Sequence, residues 1–145
     1  MATSSGPHCN SPPIWLNPQV MEVTEDPVGL SIYFGVPDGF FDHDQTAKDR
    51  ALAAAGADLS TATIQTAAGW GTSASLLSIT LEFLAEARES PVIGTGTITR
   101  MGTNVAFIHG QIMAGGQICL RATGSGRIEN KGNKEHHPIE PRRGF

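Results

Sequence analysis

The sequence has little of what several large classes of protein require. Two of its 145 residues are cysteines, Cys9 and Cys119, too few for a disulfide-rich scaffold or a four-cysteine zinc site. No apolar run approaches the roughly 18 residues of a membrane-spanning helix, and residues 1–13 lack the pattern of a secretory signal. A net charge of -4 disfavours a general nucleic-acid-binding surface. We therefore expect a soluble, cytoplasmic protein with neither nucleic-acid nor membrane partners.

The length of the chain corresponds to one domain. Residues 1–12 are small and polar, which predicts a flexible N-terminal arm. Residues 130–145 contain two prolines and charges of both signs, which predicts a flexible C-terminal tail. The sequence thus predicts a single folded domain at residues 13–129.

One long helix is the clearest element in the sequence. Residues 45–68 are rich in alanine and free of proline, and Asp44 or Thr46 could cap the start of this helix. Strand-like runs occupy residues 28–35, 74–84, 91–101, 103–114 and 117–128. Because no helix separates the later strands, a doubly wound parallel sheet is excluded. We predict an α+β fold in which a curved antiparallel sheet wraps around one long central helix.

The second half of the chain carries a resemblance to a known family. Three segments lie where that family has its last strands: SLLSITLEFLAEA (75–87), VIGTGTITRMGTNVAFIHGQIM (92–113) and GGQICLRATGSGRI (115–128). With the preceding helix they resemble the hot-dog fold, and more narrowly the acyl-CoA thioesterases of the phenylacetate-degradation type. The resemblance implies hydrolysis of a small or aromatic acyl thioester, with coenzyme A as part of the substrate and without a metal or other cofactor. It also implies a site shared between subunits of a dimer or tetramer.

The chemical motif of that family matches only in part. Members usually have an asparagine, then His-Gly-Gly, then an acidic residue about two turns further along the helix. Asp58 stands at the acidic position, whereas the His-Gly-Gly positions fall on Asp49, Arg50 and Ala51 or one residue earlier. The asparagine position falls on Asp42 or His43. The resemblance thus implies a catalytic role for Asp58.

The residues themselves add a physical argument for Asp58. An ionised carboxylate in an apolar, alanine-rich helix is costly unless it has a partner or faces a cleft. We therefore expect Asp58 to be buried in a crevice between two copies of the chain, as a general base or a nucleophile. The alternative is an aspartate that faces solvent. We also expect free N–H groups around Asp49, Arg50 and Ala51 to polarise the thioester oxygen, although a surface charge pair would explain the first two equally well.

Three further groups are candidates. His43, beside Asp42 and Asp44, is a possible second acid or base, although a capped loop would explain the cluster, and no second cluster would complete a metal site. The resemblance implies that a hydroxyl group of Ser75 or Ser78, from the neighbouring subunit, holds the attacking water. It also implies that Gly102, Thr103 and Asn104 contact the coenzyme A nucleotide, although ordinary turn chemistry explains them too.

Three functions remain open at this point. The leading one is an acyl-CoA thioesterase in which Asp58 activates water. The second is a non-catalytic hot-dog module that binds an acyl thioester or another hydrophobic ligand, which the missing His-Gly-Gly favours. The third is a hot-dog dehydratase, for which the sequence offers no glutamate at the required place.

Overall fold

The computed structural model describes residues 16–69 and 71–130. The strands are β1 (Asn17–Glu25), β2 (Val28–Gly35), β3 (Thr72–Phe83), β4 (Val92–Met101), β5 (Val105–Ala114) and β6 (Gln117–Asn130), and the helix is α1 (Gln45–Ala68). A short 3-10 turn, Phe40–Asp42, precedes α1. The predicted N-terminal arm and residues 131–145 of the predicted tail lie outside the described residues.

The six strands form one antiparallel sheet in the order β1-β2-β4-β5-β6-β3. This sheet, together with the single long helix, confirms the predicted architecture. Two features differ from the expectation. Strand β1 was not predicted, and β3 pairs with β6 although β4 follows it in the chain. The segment between β3 and β4, residues 84–91, must therefore cross the end of the sheet.

Local chemistry sets both ends of α1. Asp44 caps the start, because its Oδ1 accepts a hydrogen bond of 2.8 Å from the N–H of Ala47. At the other end the N–H of Gly69 donates to the carbonyl of Gln65, and Gly69 has a φ of 91°. The predicted bounds of the helix, 45–68, are confirmed.

The helix lies close to the sheet because small residues face it. Gly94, Gly96 and Gly110 leave room for Leu59, and Gly96 also receives Thr63. A methyl group at Gly96 would overlap the hydroxyl of Thr63. The contact between helix and sheet therefore depends on glycines in β4 and β5 as well as on the buried alanines of α1.

The core divides into two clusters along the helix. Near the start of α1, Phe40 and Leu52 pack with Val92 at the beginning of β4. Near its end, Ile64 packs with Ala106 and Ile108 of β5. These two ends of the molecule are called the N-terminal and C-terminal ends of the helix below. Within the described residues, no helix is both long enough and apolar enough to cross a membrane.

Candidate active site

Asp58 lies midway along α1, on its exposed side. Arg50 and Ala54, each four residues apart along the same side, are exposed as well, so the three form one stripe. Within residues 16–69 and 71–130, no group donates a hydrogen bond to the Asp58 carboxylate or pairs with its charge. The expectation of a buried Asp58 is therefore wrong for a single protomer, in which the side chain reaches the surface.

The protein around Asp58 nevertheless changes its acidity. Neighbouring atoms remove part of the water from the carboxylate, and this desolvation raises the pKa of Asp58 above its ordinary value. A carboxylate with a raised pKa accepts a proton more readily at neutral pH. Asp58 is therefore a better proton acceptor than a fully hydrated aspartate.

The free N–H groups of the helix lie at its first two residues. Among the described residues, none accepts a hydrogen bond from the N–H of Gln45 or Thr46, whereas the N–H of Ala47 is bonded to Asp44. Both residues are exposed. Together with the helix dipole, these two donors could stabilise a negative oxygen.

The sequence predicted the free N–H groups from Asp49 onwards, four residues after Gln45, where they begin in the structure. Asp49, Arg50 and Ala51 lie inside α1, where each N–H bonds to the carbonyl four residues earlier. The Ala51 side chain is also buried in the core, so it offers nothing to a substrate. Because α1 starts one turn before these residues, their expected free N–H groups do not exist. Contact between substrate and the side chains of Asp49 or Arg50 stays a prediction.

Asp42, His43 and Asp44 are exposed and stand immediately before α1. Asp42 ends the 3-10 turn, His43 donates its backbone N–H to the carbonyl of Phe40, and Asp44 is the helix cap. Among the described residues, no group of three histidine, cysteine, aspartate or glutamate side chains could hold a metal ion. His43 thus stands two residues before Gln45, the first residue with a free N–H group.

Ser75 lies at the opposite end of the molecule. Its neighbours Ala74 and Leu76 pack against the C-terminal core cluster, so Ser75 points to the other face of the sheet. It is exposed and lies opposite Arg127 of β6. Within one protomer, Ser75 and the start of the helix are therefore far apart.

The turn of Gly102, Thr103 and Asn104 also lies at the C-terminal end of the helix. The N–H of Gly102 donates to the carbonyl of Val105, and that of Ile128 donates to the carbonyl of Asn104. A surface cavity of about 480 Å³ opens beside this turn. It is lined by Asn104, Val105, Arg127, Ile128, Glu129 and Asn130.

A second depression, of about 470 Å³, lies on the face of the sheet that points away from α1. Phe107 and His109 of β5 stand there among hydroxyl groups of the neighbouring strands, including Ser78 and Thr123. His109 is half-buried in this depression, and the sequence did not predict such a surface.

Sequence reasoning also missed Lys48. Its side chain is only 2 % exposed and bonds to Glu86 of the segment 84–91. A lysine near the polar start of a helix normally reaches solvent, so no signal in the sequence indicated burial.

Comparison with known proteins gives the fold. No family model and no curated protein matches the chain. Solved structures do match. A phenylacetic acid degradation-related protein of Ralstonia eutropha JMP134 is 21 % identical, with a TM-score of 0.65 over 76 % of this chain and 83 % of that one. A thioesterase of Haemophilus influenzae is 16 % identical, with a TM-score of 0.65 over 83 % and 82 %.

A third match has a ligand. A Streptococcus mutans UA159 protein, solved with acetyl-CoA bound, is 13 % identical, with a TM-score of 0.65 over 79 % of this chain and 90 % of that one. The predicted hot-dog fold is confirmed by these similarities. At such identities the similarity concerns the fold alone.

Proposed function

From a fold shared with solved thioesterases, we propose that this protein hydrolyses an acyl thioester and that its substrate is a small or aromatic acyl-CoA. The observation that carries the proposal is the carboxylate of Asp58, which has no partner among the described residues, a raised pKa and a place on the surface of the central helix. Coenzyme A enters as part of the substrate.

The proposed reaction needs a base and an oxyanion site. Asp58 takes a proton from water, and the water oxygen forms a bond to the thioester carbonyl carbon. The N–H groups of Gln45 and Thr46 stabilise the resulting oxyanion. When the intermediate collapses, the carbon–sulfur bond breaks and the leaving thiolate takes a proton from Asp58 or from His43. The products are the free acid and coenzyme A.

The spacing along α1 supports a site built from two copies of the chain. Asp58 follows Gln45 by 13 positions, which corresponds to roughly 20 Å along a helix. Two groups this far apart cannot touch the same thioester. Asp58 of one copy therefore acts with the helix start of another, in a dimer or tetramer.

Strand β3 supports this association. It lies at the edge of the sheet, extends over 12 residues and leaves Leu77 about half exposed. Long edge strands with apolar side chains are normally covered, since their unpaired N–H and C=O groups can pair with another chain. A second copy of this chain would cover β3.

Two arginines in different parts of the molecule favour an anionic substrate. Arg50 is exposed and lies two turns before Asp58, within reach of a phosphate or carboxylate. Arg127 and Asn104 line the cavity at the other end of the helix, which we assign to the nucleotide part of coenzyme A. Arg50 offsets locally the net negative charge of the chain, which by itself would repel coenzyme A, whereas Arg127 is paired with Glu129 at 3.5 Å.

A non-catalytic binding module is the second candidate. The observation that favours it is the segment Asp49-Arg50-Ala51, which replaces His-Gly-Gly and has its N–H groups bonded within α1. Such a protein would bind an acyl thioester or another hydrophobic ligand and release no thiol.

A panel of acyl-CoA esters, with the released thiol measured by a colour reaction, distinguishes the two functions. We expect turnover in the wild type and a loss of about 10²- to 10⁴-fold in Asp58→Asn and Asp58→Ala. Glu22→Gln, at an exposed acid on β1, serves as the matched control and keeps full activity.

Each contrary result has a distinct meaning. Tight binding without turnover in the wild type would identify a binding module. Full turnover in Asp58→Ala would retain the thioesterase but reject Asp58 as its base.

A further inference from the structure

Lys48 is a buried cation whose donors are all used. It is the fourth residue of α1 and is 2 % exposed. Its Nζ donates to Glu86 Oε2 at 2.8 Å and to the carbonyl of Ala87 at 2.9 Å. A longer bond of 3.4 Å reaches the carbonyl of Phe41. Each of the three ammonium N–H groups therefore has an acceptor. One acceptor lies in the 3-10 turn and two lie in the segment 84–91.

Burial of this charge requires an explanation beyond stability. A cation near the N-terminus of a helix is opposed by the helix dipole. Its desolvation is also costly, and an apolar side chain of similar volume often stabilises such a position equally well. An ion pair differs from an apolar contact in that its hydrogen bonds have direction. The hydrogen bonds of Lys48 therefore fix the relative positions of the segments that they join.

The acceptors of Lys48 are themselves fixed to the sheet. The segment 84–91 begins where the N–H groups of Leu84 and Ala85 donate to the carbonyl of Cys119 in β6. It ends where the carbonyl of Pro91 accepts from Gly115, between β5 and β6. Glu86 and Ala87 lie between these two attachments. Lys48 thus ties the start of α1 to a segment held at both ends.

The third acceptor belongs to the turn in front of the helix. Phe41 lies in the 3-10 turn that leads to His43 and to the cap residue Asp44. Its neighbour Phe40 is buried in the N-terminal core cluster. The position of the first helical turn, and hence of the N–H groups of Gln45 and Thr46, is therefore set from two sides by a single ammonium group.

We propose that Lys48 is a positioning residue of the thioester hydrolysis: through Glu86, Ala87 and Phe41 it holds the first turn of α1 where the N–H groups of Gln45 and Thr46 meet the oxyanion. This role rests on the proposed function. Lys48 does not touch the substrate, because its ammonium group lies in the interior with its donors occupied.

The test separates position from stability. Lys48→Met keeps the length of the side chain and removes the charge. We expect kcat to fall about 10- to 100-fold, since a displacement of about 1 Å has such an effect. KM should stay within about twofold of the wild-type value. A cooperative thermal unfolding transition should show that the variant is folded. Lys48→Arg, which keeps the charge and donors, should recover part of kcat.

Arg88→Met is the matched control. Arg88 also lies near Glu86, at 3.5 Å from Oε1, but its side chain is 77 % exposed, and we expect its removal to leave kcat unchanged. If Lys48→Met fails to fold, Glu86→Gln removes the charged acceptor instead. It should lower kcat in the same direction and accelerate hydrogen exchange at the first turn of α1.

The outcomes separate this proposal from the proposed function. If the wild type shows turnover and both Lys48→Met and Glu86→Gln keep the wild-type kcat, the positioning role alone is overturned. The absence of turnover in the wild type would overturn the thioesterase and, with it, this role. A rise in KM without a change in kcat would assign Lys48 to substrate binding and would also overturn the proposal.

Discussion

Asp58 combines exposure with a raised pKa, and this combination has a consequence for stability. A raised pKa means that the folded protein disfavours the ionised form relative to the unfolded chain. The contribution of the protonated Asp58 carboxyl group to the free energy of unfolding is fully present below the pKa of this group in the unfolded chain. It is lost as the pH rises through the pKa of this group in the folded protein. Asp58→Asn should therefore raise the melting temperature at pH 7.

The gain in Asp58→Asn should correspond to less than about 1 kcal/mol, because water still screens the carboxylate. It should shrink towards pH 3, where the carboxyl group is protonated in both states. Thermal unfolding of the two proteins at both pH values checks this. A lower melting temperature for Asp58→Asn at pH 7 would show that the carboxylate has a stabilising partner.

Glu86 has the opposite pH dependence. A hydrogen bond from Lys48, and then the charge of that lysine, lowers the pKa of Glu86. Its contribution to stability is therefore complete above its unfolded pKa and is lost as the pH falls through its folded pKa. Between about pH 5 and pH 3, the wild type should lose more stability than Glu86→Gln. Denaturant titrations across that range measure the difference, and parallel curves would contradict it.

At the residue scale, the sequence singled out Asp58 but not its surroundings. Asp58 was chosen from its place in a resemblance, and its role as a base stays a prediction. Its exposure could not be predicted, since it depends on which side of α1 faces the sheet. Lys48 shows the same limit more strongly, because two of its three acceptors lie 38 and 39 positions away in the chain.

At the scale of elements, packing between α1 and the sheet gives a sharp prediction. Gly96→Ala should destabilise the protein by about 1–3 kcal/mol, since the added methyl group would overlap the buried hydroxyl of Thr63. Gly35→Ala in β2 is the matched control, because its added methyl group would make only ordinary contacts, at 3.6 Å and beyond. Denaturant unfolding measures both variants, and equal stabilities would show that α1 shifts to accommodate the methyl group.

Local signals were sufficient for some elements and not for others. The bounds of α1 and β2 agree with the prediction because Asp44, Gly69 and the prolines beside β2 act within a few residues. Strand β1 is exposed along its whole length. Because neither of its faces is buried, its sequence lacks the alternation of apolar and polar residues that indicates a strand. The pairing of β3 with β6 is a long-range choice that no short pattern records.

At the scale of the whole molecule, the proposed site requires more than one copy of the chain. We expect the wild type to elute as a dimer or tetramer, with its mass measured by light scattering. Leu77→Lys should shift it towards the monomer and lower thioesterase activity in parallel, because it places a charge on the edge strand β3.

Met101→Lys is the control for this prediction, since Met101 is exposed to a similar degree at the end of an inner strand. A monomeric wild type with full activity would contradict the shared site. Loss of activity in Leu77→Lys without a change in mass would separate activity from association.

The order of strands in the sheet also shapes how the chain is made. A ribosome releases β3 before β6, its partner strand among the described residues, and the two are separated by residues 84–116. Until residues 117–130 emerge, the nascent chain carries a 12-residue strand without a neighbour, and leucines 76, 77 and 81 within it are open to aggregation. Biosynthesis of this protein thus passes through an interval in which the fold does not yet protect that strand.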